Sequence, residues 1–146
     1  MIRTIDIAEL YRIMDDNHIE FLTYELPKTK SVSVRIGDLY AVGIDERAME
    51  DSAEERTHLA HEIGHCMTGG FYEIGDPLYY RAKFERKADA WAVHKLMPWR
   101  SLYSAMRHGV IEPWEIAESY GVSEEFVRRA FAVYEREGRL PIRCEE

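Results

Sequence analysis

The sequence predicts an α+β fold: a small N-terminal antiparallel sheet packed on one central helix, then a mostly helical C-terminal part with a helix-turn-helix-like element. Three observations carry this expectation. Alternating apolar residues bounded by turn signals are confined to positions 19–44. From position 52 onward the apolar spacing switches to threes and fours, with glycine and proline between segments. The 146 residues suit a single domain and can bury a sizeable core. Within it, 1–50 hold a helix and the sheet, 51–98 two long helices, and 99–146 a helical subdomain.

The first helix is expected over 6–16. Asp6 with Glu9 gives its cap, and Ile7, Leu10, Tyr11 and Met14 form its apolar stripe. Asn17-His18 ends it. Positions 19–26 are rich in Ile, Phe, Thr, Tyr and Leu and read as a strand closed by Pro27. Val32, Val34 and Ile36 alternate with polar residues, and Gly37-Asp38 makes a two-residue turn into a strand over 39–44. The edge of such a hairpin could receive an extended peptide by strand addition. Equally, the sheet could serve only to cover the helix that follows.

That helix spans 52–68, with Ser52 and Glu55 as a capping box and Gly69-Gly70 as its stop. It carries His-Glu-Ile-Gly-His at 61–65. Residues four apart share a helix face with Cβ atoms about 5–6 Å apart. His61 and His65 can therefore bind one small cation through their imidazoles, at about 2.0–2.1 Å for zinc. Glu62 lies about a quarter-turn round, beside the open side of such a metal. Zinc lowers the pKa of a water towards about 7, and a neighbouring carboxylate can then take its proton. Leu59, Ala60, Ile63, Cys66 and Met67 fall on the opposite, core-facing arc. Gly64 costs about 1 kcal/mol against Ala in a helix interior, so it either admits another backbone or is simply tolerated. His58 could reach substrate or compete for metal, but a histidine behind the site or on the surface is the plainer reading.

Two histidines do not complete a catalytic zinc site, which usually takes three protein ligands and a water. Gly75 and Asp76-Pro77 mark a loop over 71–78, and a helix fits 79–97, ended by Pro98. On it Glu85, Ala88, Asp89, Ala92 and Leu96 share one stripe. Carboxylates buried among small apolar residues need a cation or donors. A zinc held by His61 and His65 would satisfy Glu85, and Asp89 would accept the second ring N–H of a ligating histidine. The alternative is an exposed helix with both acids paired to Arg81, Arg86 or Lys87. A third-histidine site needs Gly at 68 and His at 71, where Thr68 and Phe71 stand, and no cysteine precedes position 61. The arrangement left is a glutamate on the next helix.

Short helices follow over 98–107, ended by Gly109, and over 112–120, opened by Glu112-Pro113 and closed by Gly121. Ser123 caps a last helix over 124–137, stopped by Gly138. Ala117, Gly121 and Val127 have helix-turn-helix spacing, with Ile116 and Val122 as core partners. A groove-reading helix opens on basic or amide side chains, whereas this one opens on Glu124-Glu125. A packing or protein-docking module is therefore expected rather than a DNA reader. Trp91, Trp99 and Trp114 are assigned to packing.

The net charge of -8 argues against general nucleic-acid or anionic-membrane binding. No apolar run approaches the about 20 residues of a spanning helix, and the first ten residues do not read as a signal peptide. Cys66 and Cys144 are spaced neither for a metal nor as a framework, which fits reduced thiols in the cytosol. An oxyanion donor could be His18, His58, Tyr72, Tyr79 or His108, with nothing in the sequence to separate them.

The runs EERTHLAHEIGHCMTG and FERKADAWAVHKLMP resemble the ImmA/IrrE family of zinc metallopeptidases, which shows H-E-[LI]-G-H and then E-x-x-A-[ND]-x-[FW]-A. The resemblance is close over 41–98 and only general over 1–30. It implies zinc ligands His61, His65 and Glu85, Glu62 as catalytic base, and Asp89 where the family often has Asn. It also implies a cytoplasmic enzyme that cleaves a helix-turn-helix repressor and so releases mobile-element or stress genes. A competing expectation is a zinc-containing regulator that captures a repressor or DNA without hydrolysis. The retained Glu62 weighs against it, because a structural metal needs no base.

Overall fold

The computed structural model describes residues 4–72 and 75–141; Cys144 lies outside them. Helix α1 (Ile7–Asp16) leads into strands β1 (Ile19–Thr23), β2 (Ser31–Ile36) and β3 (Leu39–Ile44). After a single 3-10 turn come α2 (Ser52–Thr68), α3 (Leu78–Leu96), α4 (Trp99–Arg107), α5 (Pro113–Tyr120) and α6 (Glu124–Arg136). Small polar side chains start α1, α2 and α6 by taking up orphan N–H groups, whereas α3 and α4 follow Pro77 and Pro98 and α5 opens on Pro113 without a side-chain cap. Asp6 Oδ1 accepts from Glu9 N at 2.9 Å, and Ser123 Oγ accepts from Phe126 N at 3.1 Å. On α2 the cap is Asp51 rather than Ser52, its Oδ1 accepting from Glu54 N at 2.8 Å. A carboxylate one residue earlier also meets the positive end of the helix dipole, which a hydroxyl cannot match. Gly69, at φ 66°, closes α2.

The α+β architecture is as expected, but the sheet is mixed rather than wholly antiparallel. Its order is β1-β3-β2. β2 and β3 form the hairpin, from Ser31 opposite Ile44 to Ile36 opposite Leu39. β1 runs parallel to β3, with Ile19 opposite Tyr40 and Thr23 opposite Ile44. Segment 24–30 carries the chain past the central position, which β3 then fills, burying Val42 and Ile44 completely. β2 is left as an edge strand beside α2.

α2 packs its Leu59, Ala60 and Ile63 under the sheet and against α3, and the same core continues through Leu102, Ile116, Tyr120 and Val127. The close approach of α2 and α3 rests on Gly64: a Cβ there would stand 2.7 Å from the Ala88 carbonyl oxygen. The glycine is required, and the open choice about it is settled by contact with another backbone. Arg56 of α2 donates to the carbonyls of Tyr120 and Gly121, the free C-terminal acceptors of α5. Two apolar assignments differ from expectation. Met67, in the last turn of α2, and Trp114, whose helix turns Ile116, Ala117 and Tyr120 inward, are both exposed, whereas Trp91 and Trp99 pack against the core. Among the described residues no helix is long and apolar enough to cross a membrane.

Candidate metal centre

One turn of α2 and one turn of α3 meet at the bottom of a cleft of about 580 Å³, walled on one side by edge strand β2. Gly64 brings Ala88 against α2, and the residues flanking Ala88 on its stripe, Glu85 and Asp89, then face the histidines. Glu85 Oε2 lies 2.9 Å from His61 Nε2, and Oε1 lies 3.2 Å from His65 Nε2. The far side of each ring is also engaged. His61 Nδ1–H donates to Asp89 Oδ1 at 2.8 Å, and His65 Nδ1–H donates to the Gly70 carbonyl. The acids of α3 therefore turn to the histidines and not to Arg81, Arg86 or Lys87.

These contacts set the charge of the cluster. Burial opposes protonation of His61, but the hydrogen bonds that Asp89 and Glu85 accept from the ring outweigh it and push the ring up to about 10. His65 is raised in the same way, burial being overcome by Glu85 and the Gly70 carbonyl. Burial would raise Glu85, yet hydrogen bonds from both rings and the Tyr72 hydroxyl hold it well below the ordinary carboxylate range. The cluster holds positive charge between its carboxylates and aligns donor atoms from His61, His65 and Glu85 within 4.8 Å of one another. Two imidazoles and a carboxylate, with both Nδ1 atoms bonded elsewhere, form a donor set that fits a zinc ion.

Glu62 is buried beside the histidines on the cleft wall, its Oε2 accepting from Ser31 Oγ at 2.8 Å. Ser31 Oγ also meets His58 Nδ1 at 2.8 Å, so His58 stands behind Glu62 instead of on the open surface. Burial lowers the His58 pKa ahead of the opposing pull of Glu54 and Glu62. Of the five oxyanion candidates, only His58 and Tyr72 line the cleft. The Tyr72 hydroxyl donates to Glu85 Oε1 at 2.9 Å. His18 opens on a separate hollow between α1 and β1, Tyr79 stands exposed, and His108 bonds the Ser104 carbonyl. Cys66 is buried, and burial pushes its thiol up to about 12, so it packs instead of ligating.

Two residues of the cleft belong to no sequence motif. Ser31 reads as an ordinary polar residue opening a strand. Arg129 reaches back from α6 into the cleft, its Nη1 at 3.5 Å from Asp89 Oδ1.

The family model for the IrrE N-terminal-like domain, peptidase M78, matches residues 18–131. The chain belongs to this family. No curated protein and no solved structure is similar enough to the chain to count as a match. The matched span of this IrrE-like chain runs from the start of the sheet into α6, so it includes the pentad, Glu85, Asp89 and Arg129. The family is of the metallopeptidase type, and the His61, His65 and Glu85 cluster of this IrrE-like chain is a possible metal site.

Proposed function

We propose that the protein is a cytoplasmic zinc endopeptidase that cuts a helix-turn-helix repressor and thereby derepresses mobile-element or stress genes. The observation that carries this reading is the convergence of Glu85 on the Nε2 atoms of both His61 and His65, with buried Glu62 alongside. His61, His65 and Glu85 would hold the ion. Bound zinc would supply a Lewis acid and an acidified water to the cleft.

The remaining work falls to side chains and backbone. Asp89 and the Gly70 carbonyl keep each ring protonated at Nδ1, which leaves Nε2 as the ligand atom. Glu62 takes the proton of the attacking water at Oε1, since Oε2 already accepts from Ser31, and passes it to the departing amine. Edge strand β2 would pair with an extended stretch of substrate, holding the scissile bond over the cluster whatever its side chains are. Tyr72 and Arg129 line the cleft and could donate to the negative charge that would develop there.

Family membership and the resemblance of the two motif runs support a repressor as substrate. The DNA-reading alternative is weakened by the acidic opening of α6 and by Arg129 turning into the cleft. The test is to incubate zinc-loaded protein with a candidate helix-turn-helix repressor, with and without chelator, and to identify fragments by mass spectrometry. Glu62→Gln should bind zinc yet cut nothing, and His61→Ala should lose both. Fragments at the full rate from Glu62→Gln would contradict the base assignment.

A further inference from the structure

Resting on the hydrolase reading, we propose that Ser31, the first residue of the edge strand, is a positioning residue that sets the Glu62 carboxylate, and that His58 acts on Glu62 through it. Ser31 and Glu62 are each only 7% exposed, so neither finds its partner by chance encounter in solvent. His58 and Glu62 stand one turn apart on α2. One hydroxyl from β2 bridges them, with 2.8 Å to His58 Nδ1 and 2.8 Å to Glu62 Oε2.

The proton inventory fixes the direction of this chain. An ionised carboxylate only accepts, so the single hydroxyl proton of Ser31 goes to Glu62. The contact with His58 must then be made by an imidazole N–H, which places the ring proton on Nδ1. His58 thus orients the hydroxyl, and the hydroxyl holds Oε2, leaving Oε1 outside this contact. Without Ser31 the terminal torsion of Glu62 has a broad, two-fold preference and no partner on the β2 side. The strand placed to receive substrate is also the strand that holds the base. One side chain thereby ties the register of a bound peptide to the atom that must take the proton.

The experiment compares zinc-loaded parent, Ser31→Ala and Ser31→Thr by crystal structure, by zinc affinity against a chelating dye, and by kinetics on a quenched fluorescent peptide mixture. Ser31→Ala is expected to fold and bind zinc as the parent does, while the Glu62 carboxylate leaves its single conformer. Its kcat should fall about ten-fold or more with KM held within about two-fold. Ser31→Thr, which keeps a hydroxyl, should restore both the conformer and most of kcat. His58→Ala added to Ser31→Ala should cost nothing further, because its route to Glu62 is already cut. An unmoved Glu62 in Ser31→Ala, or equal losses in the Ala and Thr variants, would overturn the proposal, and a further loss from His58→Ala would overturn the His58 link. If the parent cleaves no peptide at all, the hydrolase reading fails, and the Glu62 conformers still decide the role of Ser31.

Discussion

At His61 a proton and a metal ion compete for the same ring. The metal-free cluster keeps a proton there, with the ring raised from 6.5 to about 10, whereas a metal requires a neutral imidazole. A raised histidine adds stability that is fully present below about pH 6.5 and is lost as pH rises through about 10. Glu85, lowered from 4.5, adds stability that is present above that value and is lost as pH falls through its lower folded one. Chelator-treated protein should therefore melt at progressively lower temperature between about pH 7 and 10. Zinc-saturated protein should not follow that fall, since ligation is favoured as the rings deprotonate. Thermal melts across that range check this, and a flat metal-free profile would speak against a protonated His61. The spacing of His61, Glu62 and His65 and the stripe holding Glu85 and Asp89 could be read from the chain, because helical periodicity fixes which residues share a face. Ser31 and Arg129 could not be placed in the same way. Each reaches the cleft through the packing of separate elements, which no local spacing encodes.

Helices α2 and α3 are held together by the absence of one methyl group. On propensity alone Gly64→Ala should stabilise α2 by about 1 kcal/mol. A Cβ 2.7 Å from a backbone oxygen reverses the sign, because Ala88 O is not the movable end of a side chain. Overpacking of this kind typically costs about 1–3 kcal/mol. The variant should unfold at lower denaturant and bind zinc more weakly, since Glu85 and Asp89 retreat together with α3. Urea titration and a zinc competition assay measure the two effects, and a stabilised Gly64→Ala would mean that the helices can part freely. The hairpin was legible from Gly37-Asp38 and the alternation around it. The direction of β1 was not, because an alternating strand looks the same whether its neighbour runs parallel or antiparallel. Likewise, Asp51 and Ser52 are both good caps, and only the fold of the preceding turn selects the carboxylate.

Across the whole molecule, the helix-turn-helix-like pair α5–α6 is bound to the core that carries the metal centre. Arg56 closes the end of α5, Arg129 reaches Asp89, and one continuous set of buried side chains runs from the sheet to α6. The basic side chains a DNA reader would present are committed elsewhere: Arg128 lies 3.3 Å from Glu124, and Arg129 faces the cleft. With a net charge of -8, the protein should show no binding to duplex DNA tighter than about 10⁻⁵ M at moderate salt. Fluorescence anisotropy against a labelled duplex tests this, and tight binding that weakens steeply with salt would restore the DNA-reading role. The shape of this unit could be read from Ala117, Gly121 and Val127. Its attachment to the site could not, because Arg56 and Arg129 act over long separations in the chain.

The most direct measurement is an anomalous difference map recorded at the zinc edge from crystals grown with zinc. The expected result is one strong peak between helices α2 and α3, with His61 Nε2, His65 Nε2 and a Glu85 oxygen at about 2.0–2.2 Å. A peak elsewhere, or a Glu85 carboxylate turned away from the ion, would contradict the account.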